Sequence, residues 1–176
     1  MNSKTKQLII CSLFAALTAI LSQISIPLPF TPVPINLATL SVLLAGALLG
    51  KKVGAISQVV YALLGAIGLP VYANFTSGIG VMIGPTGGYI IGYIVAAFVV
   101  GLIIEKSNNN LMTYIFSMCL GMIACYTLGT AWFMYVTSNN LISSLTICVF
   151  PFIPGDIIKI ILGAFLAKRL HNRIRI

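Results

Sequence analysis

Acidic residues are nearly absent from this chain. Among 176 residues only Glu105 and Asp156 are acidic, against ten Lys and Arg, and charged residues make up 7% of the whole. There is one histidine, His171, in a basic tail. With one carboxylate in the apolar part of the chain and no histidine near it, neither an aspartyl dyad nor a Ser-His pair can be assembled, so a hydrolase is poorly supported. There is no G-x-x-x-x-G-K-[ST] run and hence no nucleotide cradle. The four cysteines, Cys11, Cys119, Cys125 and Cys148, all lie in apolar runs and form no C-x-x-C pair. That excludes a disulfide framework, and no metal site is expected. The first apolar run is too long for a signal-peptide core and lacks a convincing cleavage site.

Apolar sequence is what the chain has in abundance: 59% hydrophobic residues and a mean hydropathy of +1.08. Runs near the ~20 residues needed to cross a ~30 Å hydrocarbon core recur, so a multi-pass membrane protein is expected, in a single unit over residues 1–176. The pattern predicts spans at 7–25, 35–50, 53–69, 87–104 and 111–137 and a sixth from about 155. A hairpin at Gly50-Lys51-Lys52 and a polar turn at 105–110 connect them on one side. A Pro-rich stretch at 27–34, a Gly- and aromatic-rich loop at 70–89 and an interrupted apolar segment at 141–153, re-entrant or interfacial, connect them on the other. The expected fold class is all-α, a six-helix bundle. Lys4, Lys6, Lys51, Lys52, Lys106, Lys168, Arg169, Arg173 and Arg175 then share one face, and the positive-inside rule puts both termini in the cytoplasm of a cell-membrane protein. Cations clustered at span ends argue against nucleic acid as the partner of the +8 net charge. All eight prolines fall in the opposite, outer connections, where irregular backbone must be buried in protein or line a wet cavity. A binding site is expected there.

The tenth cation, Lys159, stands three residues from Asp156, on the same helix face. Ionisable groups at membrane depth usually mark a ligand or ion pathway. The competing reading is a structural ion pair. Asp156 has a structural reason of its own, since a carboxylate in the first turn of a helix meets unpaired N–H groups and the positive end of the dipole. Lys159 has none. A channel or stand-alone facilitator would repeat polar residues through both leaflets, whereas here they gather in the outer half.

Two runs, Gly84-Pro85-Thr86-Gly87-Gly88-Tyr89-Ile90-Ile91-Gly92 and Pro154-Gly155-Asp156-Ile157-Ile158-Lys159, together with the Pro27–Pro34 stretch and the six-span length, resemble the BioY family, the biotin-specific S components of energy-coupling factor (ECF) vitamin transporters. The resemblance covers essentially the whole chain. It implies a membrane subunit, not an enzyme, that binds biotin with high affinity near the outer face without a cofactor. It further implies docking on a transmembrane coupling subunit driven by two cytoplasmic ATPases. The remaining alternatives are an S component for another water-soluble vitamin and a stand-alone small-solute facilitator. Biotin offers a ureido ring with two N–H groups and a carbonyl, an apolar thioether ring and a carboxylate. Asp156 can accept from the ring, Lys159 can donate to its carbonyl or to the carboxylate, and Asn74 can do both. Tyr89, Tyr72, Phe75 and Trp132 are candidates for an aromatic wall, Thr39 and Gln58 for further polar contacts, and Gly87 and Gly88 for backbone close to the ligand. Packing is the competing explanation for each aromatic and glycine. On the first helix, Ala15 and Ala19, with Ser12 and Ala16, form a small-residue face similar to that with which S components meet the coupling subunit. Spacing alone favours internal helix packing; it is the resemblance that points to docking.

Overall fold

The computed structural model describes residues 3–108 and 110–174; Arg175 and the side chain of Arg173, both assigned to the basic face, lie outside them. The chain is mostly helical, with one departure from the expected all-α class. After α1 (Ser3–Gln23) the Pro-rich stretch folds into a hairpin, β1 (Ser25–Leu28) against β2 (Thr31–Asn36), antiparallel with Ser25 opposite Asn36 and Leu28 opposite Thr31. Proline excludes helix but not an extended strand whose N–H positions are free, and a two-stranded ribbon consists entirely of edges. The register breaks between Ile26 and Leu28, at Pro27, which has no N–H to give to the ladder.

Helix α2 (Ala38–Ala66) is helical throughout except at Gly50, with φ 77° and ψ 177°. A side-chain Cβ built on Gly54 would stand 2.8 Å from the carbonyl oxygen of Ala45. In a straight helix these residues would be more than about 13 Å apart along the axis, so the chain doubles back at Gly50 into two antiparallel arms. The hairpin expected there is present, between arms somewhat shorter than the predicted spans. Glu105 closes it: one oxygen accepts from the backbone N–H of Lys51 at 2.9 Å and the other pairs with Lys51 Nζ at 3.0 Å. One of the two acids of the chain is thereby committed to holding the reversal.

The loop predicted at 70–89 contains a 3-10 turn (Ala73–Phe75) and a short helix, α3 (Ile79–Ile83). Then follow α4 (Gly87–Glu105), α5 (Leu111–Thr137), α6 (Leu141–Cys148) and α7 (Ile153–Ile174). Asn110 and Asn140 cap α5 and α6, each accepting from the N–H three residues on at 2.8 Å. Helix α4 lies between α2 and α5, with Ala96, Ala97 and Val100 sealed at the contact. Glycines let the backbones approach: a Cβ on Gly46 would meet Val100 Cβ at 2.9 Å, and one on Gly92 would meet Cys125 Sγ at 3.0 Å. Many large apolar side chains also point outward, among them Leu13, Leu63, Phe116, Ile123, Leu162 and Phe165. An apolar exterior is what a bundle solvated by lipid requires. Helices α1, α4 and α5 are each long and apolar enough to cross a membrane, the 29 residues of α2 are so only when its two arms are taken together, and α6 with α7, bent by 56°, makes a further candidate. The chain is a multi-pass membrane protein.

Candidate binding site

The hairpin, the 72–76 turn, α3 and the start of α4 enclose a cavity of about 270 Å³. Val33, Pro34, Asn36, Tyr89 and Tyr93 line it and also line a second, smaller space of about 40 Å³, which runs on to Thr39, Tyr126, Asp156 and Lys159. The two form one site with a wide part and a narrow polar end. Its walls are tyrosines held by their own contacts. The Tyr72 hydroxyl donates to the Ala62 carbonyl at 2.6 Å, and its ring stands edge-on to Tyr61 at 5.6 Å. Tyr61 in turn stacks obliquely with Tyr93 at 6.3 Å. The Tyr89 hydroxyl donates to the Cys148 carbonyl at 3.3 Å, which ties the start of α4 to the end of α6.

At the narrow end Lys159 Nζ donates to Asp156 Oδ1 at 2.8 Å and to Thr39 Oγ1 at 3.2 Å, and the Tyr126 hydroxyl donates to Asp156 Oδ2. Asp156 and Lys159 are each 6% exposed. One turn of helix sets the two side chains on the same face, as their spacing predicts, and Pro154 at the start of α7 puts Asp156 in the first turn. The group is neutral overall. Each carboxylate oxygen is engaged, and Lys159 retains a third N–H beyond the two it has placed. At the wide end Asn74 accepts from Ser25 Oγ at 2.7 Å through Oδ1, which leaves its NH₂ as the group to offer a ligand.

Of the residues singled out from sequence, Asp156, Lys159, Thr39 and Tyr89 meet at the narrow end, and Tyr72, Asn74 and Tyr89 at the wide end. The others lie elsewhere. Gln58 is fully buried between helices, donating to Ser57 Oγ at 3.0 Å, and lines neither space. Gly87 and Gly88 are bare because packing requires it: a Cβ on Gly87 would collide with the Met82 carbonyl, and one on Gly88 with Trp132. Trp132 spans from α5 to donate to the Gly84 carbonyl at 2.9 Å, bracing the loop without walling the cavity, and Phe75 is 70% exposed. On α1, Ala15 is 1% exposed and Ala19 is half-buried, so the face they share packs inside the bundle; Ser12 and Ala16 are the exposed members of the set. Sequence reasoning missed Asn36, Tyr61, Tyr93 and Tyr126. The tyrosines carried one usable signal: they sit well inside apolar spans, away from the interfacial belt where tyrosine is usual.

The BioY family model matches residues 1–176. A biotin transporter BioY of Thermotoga maritima is 40% identical over 167 residues, 95% of this chain and 96% of its own. A probable biotin transporter BioY of Pyrococcus horikoshii is 38% identical over 169 residues, 96% of this chain and 98% of its own. Among solved structures, the S-component for biotin from an ECF-type ABC transporter superposes with a TM-score of 0.90 at 33% identity, covering 98% of this chain and 95% of that one.

Proposed function

The chain belongs to the BioY family, and on that premise we propose that it is the biotin-binding membrane subunit of an ECF-type uptake transporter, capturing biotin with high affinity in the cavity described above. Its relatives are transporters and its structural neighbour a transporter component; it is not an enzyme. The observation that carries the proposal is the neutral, buried Asp156–Lys159 group at the narrow end of a tyrosine-walled cavity. A ligand carboxylate there would add a net negative charge to a site whose cation is already matched. A ureido ring adds none. Its carbonyl takes the remaining N–H of Lys159 and its ring N–H groups find Asp156 as acceptor. The thioether ring and chain lie along Tyr72, Tyr89 and Tyr93, and the carboxylate stays at the wide end, near the amide of Asn74.

In this reading the chain crosses the membrane six times, through α1, the two arms of α2, α4, α5 and α7. Both termini lie in the cytoplasm and the cavity near the outer face. Transport needs partners, because no nucleotide motif is present: a coupling subunit meeting the exposed side of α1, where Ser12 and Ala16 lie, and two cytoplasmic ATPases. Screening the purified protein in detergent against water-soluble vitamins tests the ligand. Biotin alone should be retained, and preference for a different vitamin would reject it. Orientation has its own test in a background with the native cysteines replaced. Pro32→Cys should react with an impermeant maleimide applied outside intact cells and Lys52→Cys should not; the reverse would invert the topology.

A further inference from the structure

The 72–76 turn that presents Tyr72 and Asn74 to the cavity has a backbone the chain resists. Asn74 and Phe75 both adopt φ 57°. Two consecutive left-handed residues without a glycine are unusual; asparagine tolerates the conformation, but a bulky aromatic does not. Nor does packing compensate, because the Phe75 side chain is 70% exposed. What holds the turn is the end of α1. The Gln23 side chain brackets it from both sides: Oε1 accepts from the Phe75 N–H at 2.8 Å, and Nε2 donates to the Tyr72 carbonyl at 3.0 Å. Nε2 also lies 3.2 Å from the Ala19 carbonyl and 3.0 Å from Ser22 Oγ, which ties the amide back to its own helix. Ser22 Oγ donates to the Val71 carbonyl at 2.5 Å and Ser25 Oγ holds Asn74 at 2.7 Å.

We infer that Gln23 is a positioning residue for ligand binding. It lines neither part of the site, yet it fixes the strained turn whose residues wall the wide end. The role requires an amide, since one planar group must accept at one end of the turn and donate at the other. Glutamate lacks the donor and leucine lacks both. The inference rests on the reading of the cavity as the biotin site, and its test separates the two.

Biotin affinity and hydrogen exchange over 71–76 are measured in detergent for the wild type, Gln23→Leu, Phe75→Asn and the double variant. Gln23→Leu should raise Kd about ten-fold, the loss of two to three ordinary hydrogen bonds offset by some relaxation, and should speed exchange across the turn. Phe75→Asn alone should bind as wild type does, because the phenyl ring touches neither space. In the double variant, asparagine at 75 accepts the left-handed backbone without a clasp, and most of the lost affinity should return. A purely structural role for Gln23 in α1 would show no such rescue. Unchanged binding and exchange in Gln23→Leu would overturn the inference, and so would a double variant as weak as the single one. A wild type that fails to bind biotin while Gln23→Leu still loosens the turn would reject the ligand and leave the clasp standing.

Discussion

Lys159→Met should weaken biotin binding by about 1.5–3 kcal/mol, the range for hydrogen bonds involving a charged group, or roughly ten- to a hundred-fold, and should also lower the thermal stability of the unliganded protein. The two effects have different origins: in the proposed binding mode the ligand loses its Lys159 donor, whereas stability falls through the charge left behind. Asp156 and Lys159 are 6% exposed, and removing one partner leaves the other charge buried with no counterion, typically a loss of about 3–5 kcal/mol. Asp156→Asn acts from the other side, keeping the acceptor for Tyr126 but stranding the lysine. Pairing the two substitutions distinguishes binding from structure. With Asp156→Asn and Lys159→Met combined the group is neutral again, and the introduced amide still offers an oxygen to Tyr126, so most of the stability should return. Affinity should not, because the Lys159 N–H proposed to reach the ligand is gone. A double variant that is stable and binds biotin normally would falsify the assignment and reduce the pair to a lock between α7 and its neighbours.

The second large effect concerns two glycines beside the cavity with opposite expectations. Gly87→Ala drives a Cβ into the backbone carbonyl of Met82, at the point where α3 meets α4. A carbonyl cannot rotate away as a side chain can, so α3 must shift. Overpacking of this kind costs about 1–3 kcal/mol, and because Val81 on α3 lines the cavity, affinity should fall together with melting temperature. Gly80→Ala is the contrast. Gly80 lines the same cavity, and its added methyl group would meet nothing within 4 Å. Melting temperature should hold in the unliganded protein, with any change confined to binding. If Gly87→Ala melts as wild type does and loses only affinity, Gly87 serves the ligand and not the packing of α3.

Several features were determined by the sequence alone, because they depend on local chemistry and on the membrane. Apolar runs must become helices where no water is available to satisfy the backbone, and α4 and α5 begin within a residue of where hydropathy puts them. The reversal at Gly50 follows from a glycine and two lysines between apolar runs, and the shared face of Asp156 and Lys159 from their spacing. Tertiary structure decided the rest. Prolines rule out helix, but only pairing across a turn makes residues 25–36 a hairpin. A glycine reads identically whether a ligand or a neighbouring helix lies opposite, and contacts 5 and 44 residues away along the chain are what make Gly87 and Gly88 packing positions. The direction of the small face of α1 was invisible for a similar reason: alanine fits inside the bundle or outside it, and only the position of α2 buries Ala15. Tyr126 reaches Asp156 across thirty residues. No local pattern encodes that meeting, which exists only because α5 and α7 pack side by side.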